Sequence, residues 1–140
     1  MQEYIFVYGT LRPYFKHPIQ ELLSGQCDYV GEGYVFGKLY EIENYPGLTI
    51  SPPIKNKVYG EIYKLHDHDD ILNILDEYEG CSDSFPKPHE YRRIKSDVYD
   101  GNGKTFHAWL YVYNHPTEGL ETIPSGDYVD YWKKKYDGSR

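Results

Sequence analysis

Between Asp28 and Ile42 the chain runs DYVGEGYVFGKLYEI, aromatic and β-branched residues interrupted by Gly31, Gly33 and Gly37. Such side chains suit the pleated surface of a strand, and glycine inside a strand marks a bulge, a bend or the close approach of another backbone. The stretch therefore predicts strands that bend or bulge as they do around a barrel. Its glycines resemble a dinucleotide fingerprint only loosely. A G-x-G-x-x-G needs its third glycine at position 36, where Phe36 stands, and strand formers follow where a helix should start. A nucleotide cofactor is not expected.

The remaining strands follow from similar patterns. Glu3 to Tyr8 (EYIFVY) is a short, nearly continuous apolar run that stops at Gly9, as in a strand buried on both faces. Val58 to Leu65 alternates so that Tyr59, Glu61 and Tyr63 share a face. Tyr91 to Tyr99 and Thr105 to Tyr113 read as strands around Asp100, Gly101, Asn102 and Gly103, residues that suit a hairpin turn and lack the downstream ligands of a calcium loop. Tyr45, Pro46 and Gly47 predict a further turn. The 17 Tyr and 5 Phe supply large half-apolar side chains, so residues 1–140 are expected to bury one core as a single, tyrosine-rich β domain.

Three helices are expected. Pro18, with Ile19, Leu22 and Leu23, leads to Gly25, with proline in the first turn and glycine just past the end. Ser125 to Tyr136 can start from Ser125 or Asp127 as cap, and its lysines lie near the negative end of the macrodipole. Asp67 to Gly80 (DHDDILNILDEYEG) has early acids, a stripe of Ile71, Leu72, Ile74, Leu75 and Tyr78, and a closing glycine. At about 100° per residue, Glu79 lies roughly 20° from Leu72 and 40° from Leu75, while Asp76 and Glu77 fall away from the middle of that stripe. Glu79 is the acid drawn inward, or else it frays into solvent at the helix end. The negative helix end, Asp76 one turn away and burial all disfavour its charged form, so its pKa is expected to rise.

Other patterns exclude function classes. The formal charge of −7, with only Lys133, Lys134 and Lys135 as a basic run, argues against nucleic acid as a partner. No run approaches the ~18 apolar residues of a membrane span, and no export signal opens the chain, so a cytoplasmic protein with Cys27 and Cys81 reduced is expected. His66, Asp67, His68, Asp69 and Asp70 look like metal ligands. Adjacent ligands rarely converge without a third element, and helix capping accounts for the acids, so no metal is expected. There is no G-x-S-x-G elbow, P-loop or H-E-x-x-H, and Cys81 has no evident histidine partner.

VYGTLR at 7 to 12, YPG at 45 to 47, GEIY at 60 to 63, LDEYEG at 75 to 80, YRR at 91 to 93 and SGDY at 125 to 128 occur in this order. On these motifs the chain resembles the γ-glutamylcyclotransferase family over nearly its whole length. Tyr128 stands where many members have tryptophan, and SDSFPKPHE between Cys81 and Tyr91 is a rather long connection at the pocket rim. The resemblance implies an α+β fold, a mixed β-barrel flanked by a few short helices. It also implies a loop of Tyr8, Gly9, Thr10 and Leu11 that binds a γ-glutamyl group through its main chain, with Glu79 as acid and base and no cofactor. The expected partner is a small γ-glutamyl substrate, cyclised to 5-oxoproline with release of an amine. Arg12 has two readings of equal weight, a clamp on the substrate carboxylate or a structural ion pair. Tyr91 and Arg93 share a strand face and fit either the barrel mouth or packing. Rival functions are a non-catalytic binding domain on the same fold and a tyrosine-rich interaction module.

Overall fold

The computed structural model describes residues 3–15, 18–50, 56–66 and 68–136. Five strands close into a barrel in the order β1 (Glu3–Val7), β5 (Lys57–Leu65), β2 (Cys27–Phe36), β6 (Tyr91–Tyr99) and β7 (Thr105–Tyr113). The barrel is mixed: β1 meets β7 in parallel and the other pairs are antiparallel. A small sheet of β4 (Pro46–Thr49), β3 (Lys38–Glu41) and β8 (Glu121–Thr122) lies beside it. The helices are α1 (Pro18–Gln26), α2 (His68–Tyr78) and α3 (Tyr128–Tyr136). Among the described residues, no helix is long and apolar enough to cross a membrane.

Strand alternation divides the core in two. Phe6 on β1, Val58 and Ile62 on β5, and Phe106, Ala108, Leu110 and Val112 on β7 belong to one cluster. The alternate residues Ile5, Val7, Tyr63, Leu65 and Tyr111 belong to a second, with Leu23 of α1 and Ile71, Leu72 and Leu75 of α2. Strand β1 is thus apolar on both faces because each face meets a different cluster. The register of β2 against β5 shifts between Tyr29 and Gly31, the kind of irregularity that its glycines predict.

The hairpin between β6 and β7 is closed by Asp100 N–H donating to the Lys104 carbonyl at 3.1 Å, and the Asp100 side chain accepts the Asn102 N–H at 2.8 Å. At α3 the cap is Asp127, whose Oδ1 accepts the Asp130 N–H at 3.1 Å. The turn expected at Tyr45 to Gly47 lies earlier: Ile42 N–H donates to the Tyr45 carbonyl, Asn44 takes the positive φ of 65°, and Pro46 and Gly47 open β4. A side chain at Gly47 would meet Tyr113 at 2.9 Å, so this glycine serves packing across to β7 rather than a turn. In the His66 to Asp70 cluster, His66 lies 3.0 Å from Asp28; Asp67 and the side chains of His68 and Asp69 fall outside the described residues.

Candidate active site

Helix α2 ends in a way that fixes Glu79. Cys81 N–H donates to the Asp76 carbonyl at 3.0 Å and Gly80 N–H to the Glu77 carbonyl at 3.2 Å, with Gly80 left-handed at φ 73°. This pairing is a Schellman motif, and it makes Glu79 the C-cap residue rather than the start of a frayed end. The helix is tied down one turn earlier. Asp76 accepts two hydrogen bonds from Arg93, at 2.8 and 3.0 Å, and one from the Tyr111 hydroxyl at 2.7 Å. Asp76 is therefore neutralised on the barrel wall although periodicity turns it away from the apolar stripe. Arg93 also lies over the Trp109 ring at 4.4 Å and does not line the cavity that Glu79 faces.

Strand β1 runs into the facing loop. The Tyr8 hydroxyl donates to the Tyr111 carbonyl at 2.6 Å and accepts the Leu48 N–H at 3.3 Å, so Tyr8 offers a ligand its ring and main chain but no free hydroxyl. The loop turns back where Arg12 N–H donates to the Gly9 carbonyl at 3.0 Å. Thr10 Oγ1 lies 3.3 Å from the Tyr78 hydroxyl, which links the loop to the end of α2. Among the described residues, the main-chain N–H groups of Thr10 and Leu11 have no main-chain acceptor.

The opposite wall comes from elements distant in sequence. The Tyr91 hydroxyl donates to the Pro46 carbonyl, and the Tyr45 hydroxyl to Glu90 Oε2, both at 2.6 Å. Together these parts enclose a cavity of about 420 Å³ lined by Phe6 to Leu11, Asn44 to Pro46, Tyr78, Glu79, Glu90, Tyr91 and Tyr111. Tyr8, Gly9, Thr10, Leu11 and Glu79 thus face one space. Arg12 does not. It is 8% exposed, it forks onto Glu61 at 2.9 and 3.0 Å, and it reaches Asp127 at 2.8 Å. Of its two sequence readings, this geometry is that of the structural ion pair.

The electrostatics of the cavity are one-sided. Glu79 and Glu90 are its ionisable acids, and among the described residues no lysine, arginine or histidine lines it. The Glu79 carboxyl is pushed up to about 8, first by burial, then by the charge of Glu90 and then by Asp76. The Tyr8 phenol is likewise held well above its ordinary value by burial and by Glu79. The Cys81 thiol is pushed up to about 12 by burial and by Asp76, which suits a packing residue rather than a nucleophile. Sequence reasoning missed Asn44, Tyr45, Glu90 and Tyr111. Only Tyr45 falls in a motif that the sequence marks, and no local pattern distinguishes Glu90.

Gly9 has a structural reason to lack a side chain. A Cβ there would meet Pro46 at 2.7 and 2.9 Å, so Gly9→Val should push the loop and the Pro46 wall apart. The expected result is a folded variant that melts earlier and loses ligand affinity in calorimetry. A variant with unchanged melting and unchanged affinity would remove this contact from the site.

The model of the family described as Gamma-glutamyl cyclotransferase, AIG2-like matches residues 5–130. A Methanocaldococcus jannaschii protein bearing a γ-glutamylcyclotransferase name is 31% identical over 129 residues, which cover 92% of this chain and 98% of that protein. The γ-glutamylcyclotransferase family protein YtfP of Escherichia coli K12 is 31% identical over 128 residues, 90% of this chain and 96% of its own. A solution structure of YtfP from E. coli superposes with a TM-score of 0.63 at 29% identity, covering 91% of this chain and 97% of the other.

Proposed function

The chain belongs to the γ-glutamyl cyclotransferase, AIG2-like family, and from that premise we propose that it is a cytoplasmic, cofactor-independent enzyme converting a γ-glutamyl amine or peptide to 5-oxoproline and a free amine. The observation that carries this reading is the position of Glu79, a carboxyl with a raised pKa, in the same cavity as the Tyr8 to Leu11 loop.

The substrate presents an α-ammonium, an α-carboxylate and a γ-carbonyl. Its ammonium suits the side of the cavity that bears Glu79, while the N–H groups of Thr10 and Leu11 offer donors to a carboxylate or to an oxyanion. Glu79 takes one proton from the ammonium. The freed amine attacks the γ-carbonyl carbon and closes the five-membered ring, with the carbonyl electron pair moving onto oxygen. As that oxyanion collapses, the bond to the leaving nitrogen breaks and Glu79 returns the proton there, while the second proton of the former ammonium passes from the ring nitrogen to the departing amine, which leaves as an ammonium. Holding the glutamyl chain curled removes much of the entropic barrier to an intramolecular attack, so no covalent enzyme intermediate is needed.

A raised pKa suits both transfers, because an acid that holds its proton nearly as tightly as an ammonium gives and takes it at little cost. It also predicts a pH profile. In the free enzyme Glu79 must be ionised to accept the proton, so kcat/KM should climb along an acid limb with its midpoint near the Glu79 value of about 8. Bound ammonium favours the carboxylate, so the acid limb of kcat should lie at lower pH. The test is a screen of γ-glutamyl dipeptides and amines for 5-oxoproline, with EDTA present throughout. Release of 5-oxoproline with this profile supports the reading. No turnover, or turnover that chelation abolishes and one divalent ion restores, overturns it.

A further inference from the structure

We propose that Asp76, gripped by Arg93 and Tyr111, is a positioning residue for the cyclisation, and that this clamp sets where Glu79 stands against the Tyr8 to Leu11 loop. This deepens the cyclotransferase reading and rests on it.

Glu79 has to meet two nitrogens in one turnover, so its distance from the loop that holds the glutamyl group has to be fixed closely. A displacement of about 1 Å can cost a hundredfold in rate. Among the described residues, however, the Glu79 carboxyl makes no hydrogen bond. Its place is inherited from its frame, and the centre of that frame is Asp76. The Asp76 carbonyl accepts the Cys81 N–H at 3.0 Å, which closes the helix end around residue 79. The Asp76 carboxylate accepts the Arg93 fork at 2.8 and 3.0 Å and the Tyr111 hydroxyl at 2.7 Å. Arg93 and Tyr111 stand opposite each other on β6 and β7, so a cross-strand pair holds that carboxylate. Tyr111 reaches the loop as well, since its carbonyl accepts the Tyr8 hydroxyl at 2.6 Å. One residue of the barrel wall thus joins the helix that carries the acid to the loop that faces it.

An ion pair that served stability alone could sit anywhere on the barrel. This one lies in the last turn of α2, three residues before Glu79, and ties together the two parts between which the substrate must lie. Its charges count too. Glu79 is faced by Asp76 and Cys81 from its own helix end, by Glu90 and Tyr91 from the entry to β6, by Tyr111 from β7 and by Tyr8 from β1. Burial holds the three phenols and the thiol above their ordinary values, so they carry no charge near neutral pH. Glu90 and Asp76 oppose ionisation of Glu79, and the Arg93 guanidinium bonded to Asp76 offsets the second of them. The clamp therefore acts on the acid both through where it stands and through how readily it gives up its proton.

The test measures release of 5-oxoproline from the best γ-glutamyl substrate of the wild-type enzyme, well below the melting temperature of each variant. Asp76→Asn and Arg93→Met should each lower kcat about tenfold, the order expected for a shift of a fraction of an ångström, and leave KM within about threefold. Because Arg93 acts through Asp76, the double variant should lose no more kcat than Asp76→Asn alone. The acid limb of kcat/KM should move in opposite directions. Asp76→Asn removes a like charge from beside Glu79 and should move it to lower pH, whereas Arg93→Met leaves that charge uncompensated and should move it to higher pH. Arg93→Lys returns the charge without the fork, so it should restore the limb but recover kcat only in part. Tyr111→Phe loses one hydroxyl and keeps its ring, and should lower kcat about threefold, which gives a reading where a charge variant folds poorly. Variants that melt earlier but keep the wild-type kcat and acid limb would reduce the clamp to a structural ion pair and overturn the assignment. Additive losses in the double variant, or a rise in KM at unchanged kcat, overturn it as well, and all three outcomes leave the cyclisation standing. No release of 5-oxoproline by the wild-type enzyme overturns the cyclisation and this inference with it.

Discussion

Glu79→Gln should lower kcat by a factor of about 100 or more, because the amide fills the same space but cannot accept the ammonium proton. The fold should survive, since the Schellman motif that places residue 79 uses only main-chain groups of Asp76, Glu77, Gly80 and Cys81. KM should change far less than kcat, because most of the ligand surface in the cavity comes from other residues. The same variant has a second readout, independent of turnover. The Glu79 carboxyl loses its proton at about 4.5 in an unfolded chain and at about 8 in the folded protein. Between those values the folded state holds a proton that the unfolded state has released, so the stabilising effect of that proton is full below the lower value and is lost as pH rises through the upper one. Gln does not titrate. The melting temperature of Glu79→Gln relative to wild type should therefore climb from pH 5 to pH 9. Lost activity with no such climb would mean that Glu79 is not the buried acid described here, and near-normal kcat would remove it from the mechanism.

The sequence carried the strands well because their boundaries are written locally. Tyr91–Tyr99 and Thr105–Tyr113 begin and end where expected, since Asp100 to Gly103 can only turn and the flanking residues alternate. The glycines of residues 28–42 pointed to barrel-like bending, but its closure was legible only through family resemblance, because that depends on a parallel pairing, Ile5 against Trp109, between strands about 100 positions apart in sequence. Tyr45 to Gly47 misleads because proline and glycine signal turns, whereas here Asn44 carries the positive φ and Gly47 gives room to Tyr113. The direction of Glu79 follows from the helical period, which sets it beside Leu72 and Leu75. Its electrostatics do not, because the leading charge acting on it is Glu90, ahead of the neighbouring Asp76. Glu90 is fixed by a hydroxyl 45 positions away, and no local pattern encodes that meeting.

Arg12→Ala should destabilise the protein by about 3–5 kcal/mol, the range for removing one partner of a buried ion pair. Arg12 and Glu61 are 8% and 7% exposed, and the guanidinium meets both carboxylate oxygens of Glu61. Without Arg12, Glu61 would be left as a buried charge on β5. The third contact spreads the damage. Asp127 Oδ1, which caps α3 through the Asp130 N–H, also receives Arg12 Nη1, so one side chain joins the end of the 8–11 loop, the barrel wall and the start of the last helix. For a chain of this size, that loss corresponds to a fall in melting temperature on the order of 10 °C. Replacing the pair together, Arg12→Met with Glu61→Leu, should recover much of the loss, because no charge then remains without its partner. The substrate reading of Arg12 makes the opposite forecast: a variant as stable as wild type whose KM rises about a hundredfold, the cost of losing a charge-assisted clamp. The ion-pair reading expects the variant, assayed well below its melting temperature, to keep KM within about threefold, because the turn that shapes the loop is held by Arg12 N–H on the Gly9 carbonyl and survives truncation of the side chain. Melting curves and KM measured on the same preparation separate the two readings, and an unshifted melting curve with a large rise in KM would return Arg12 to the substrate.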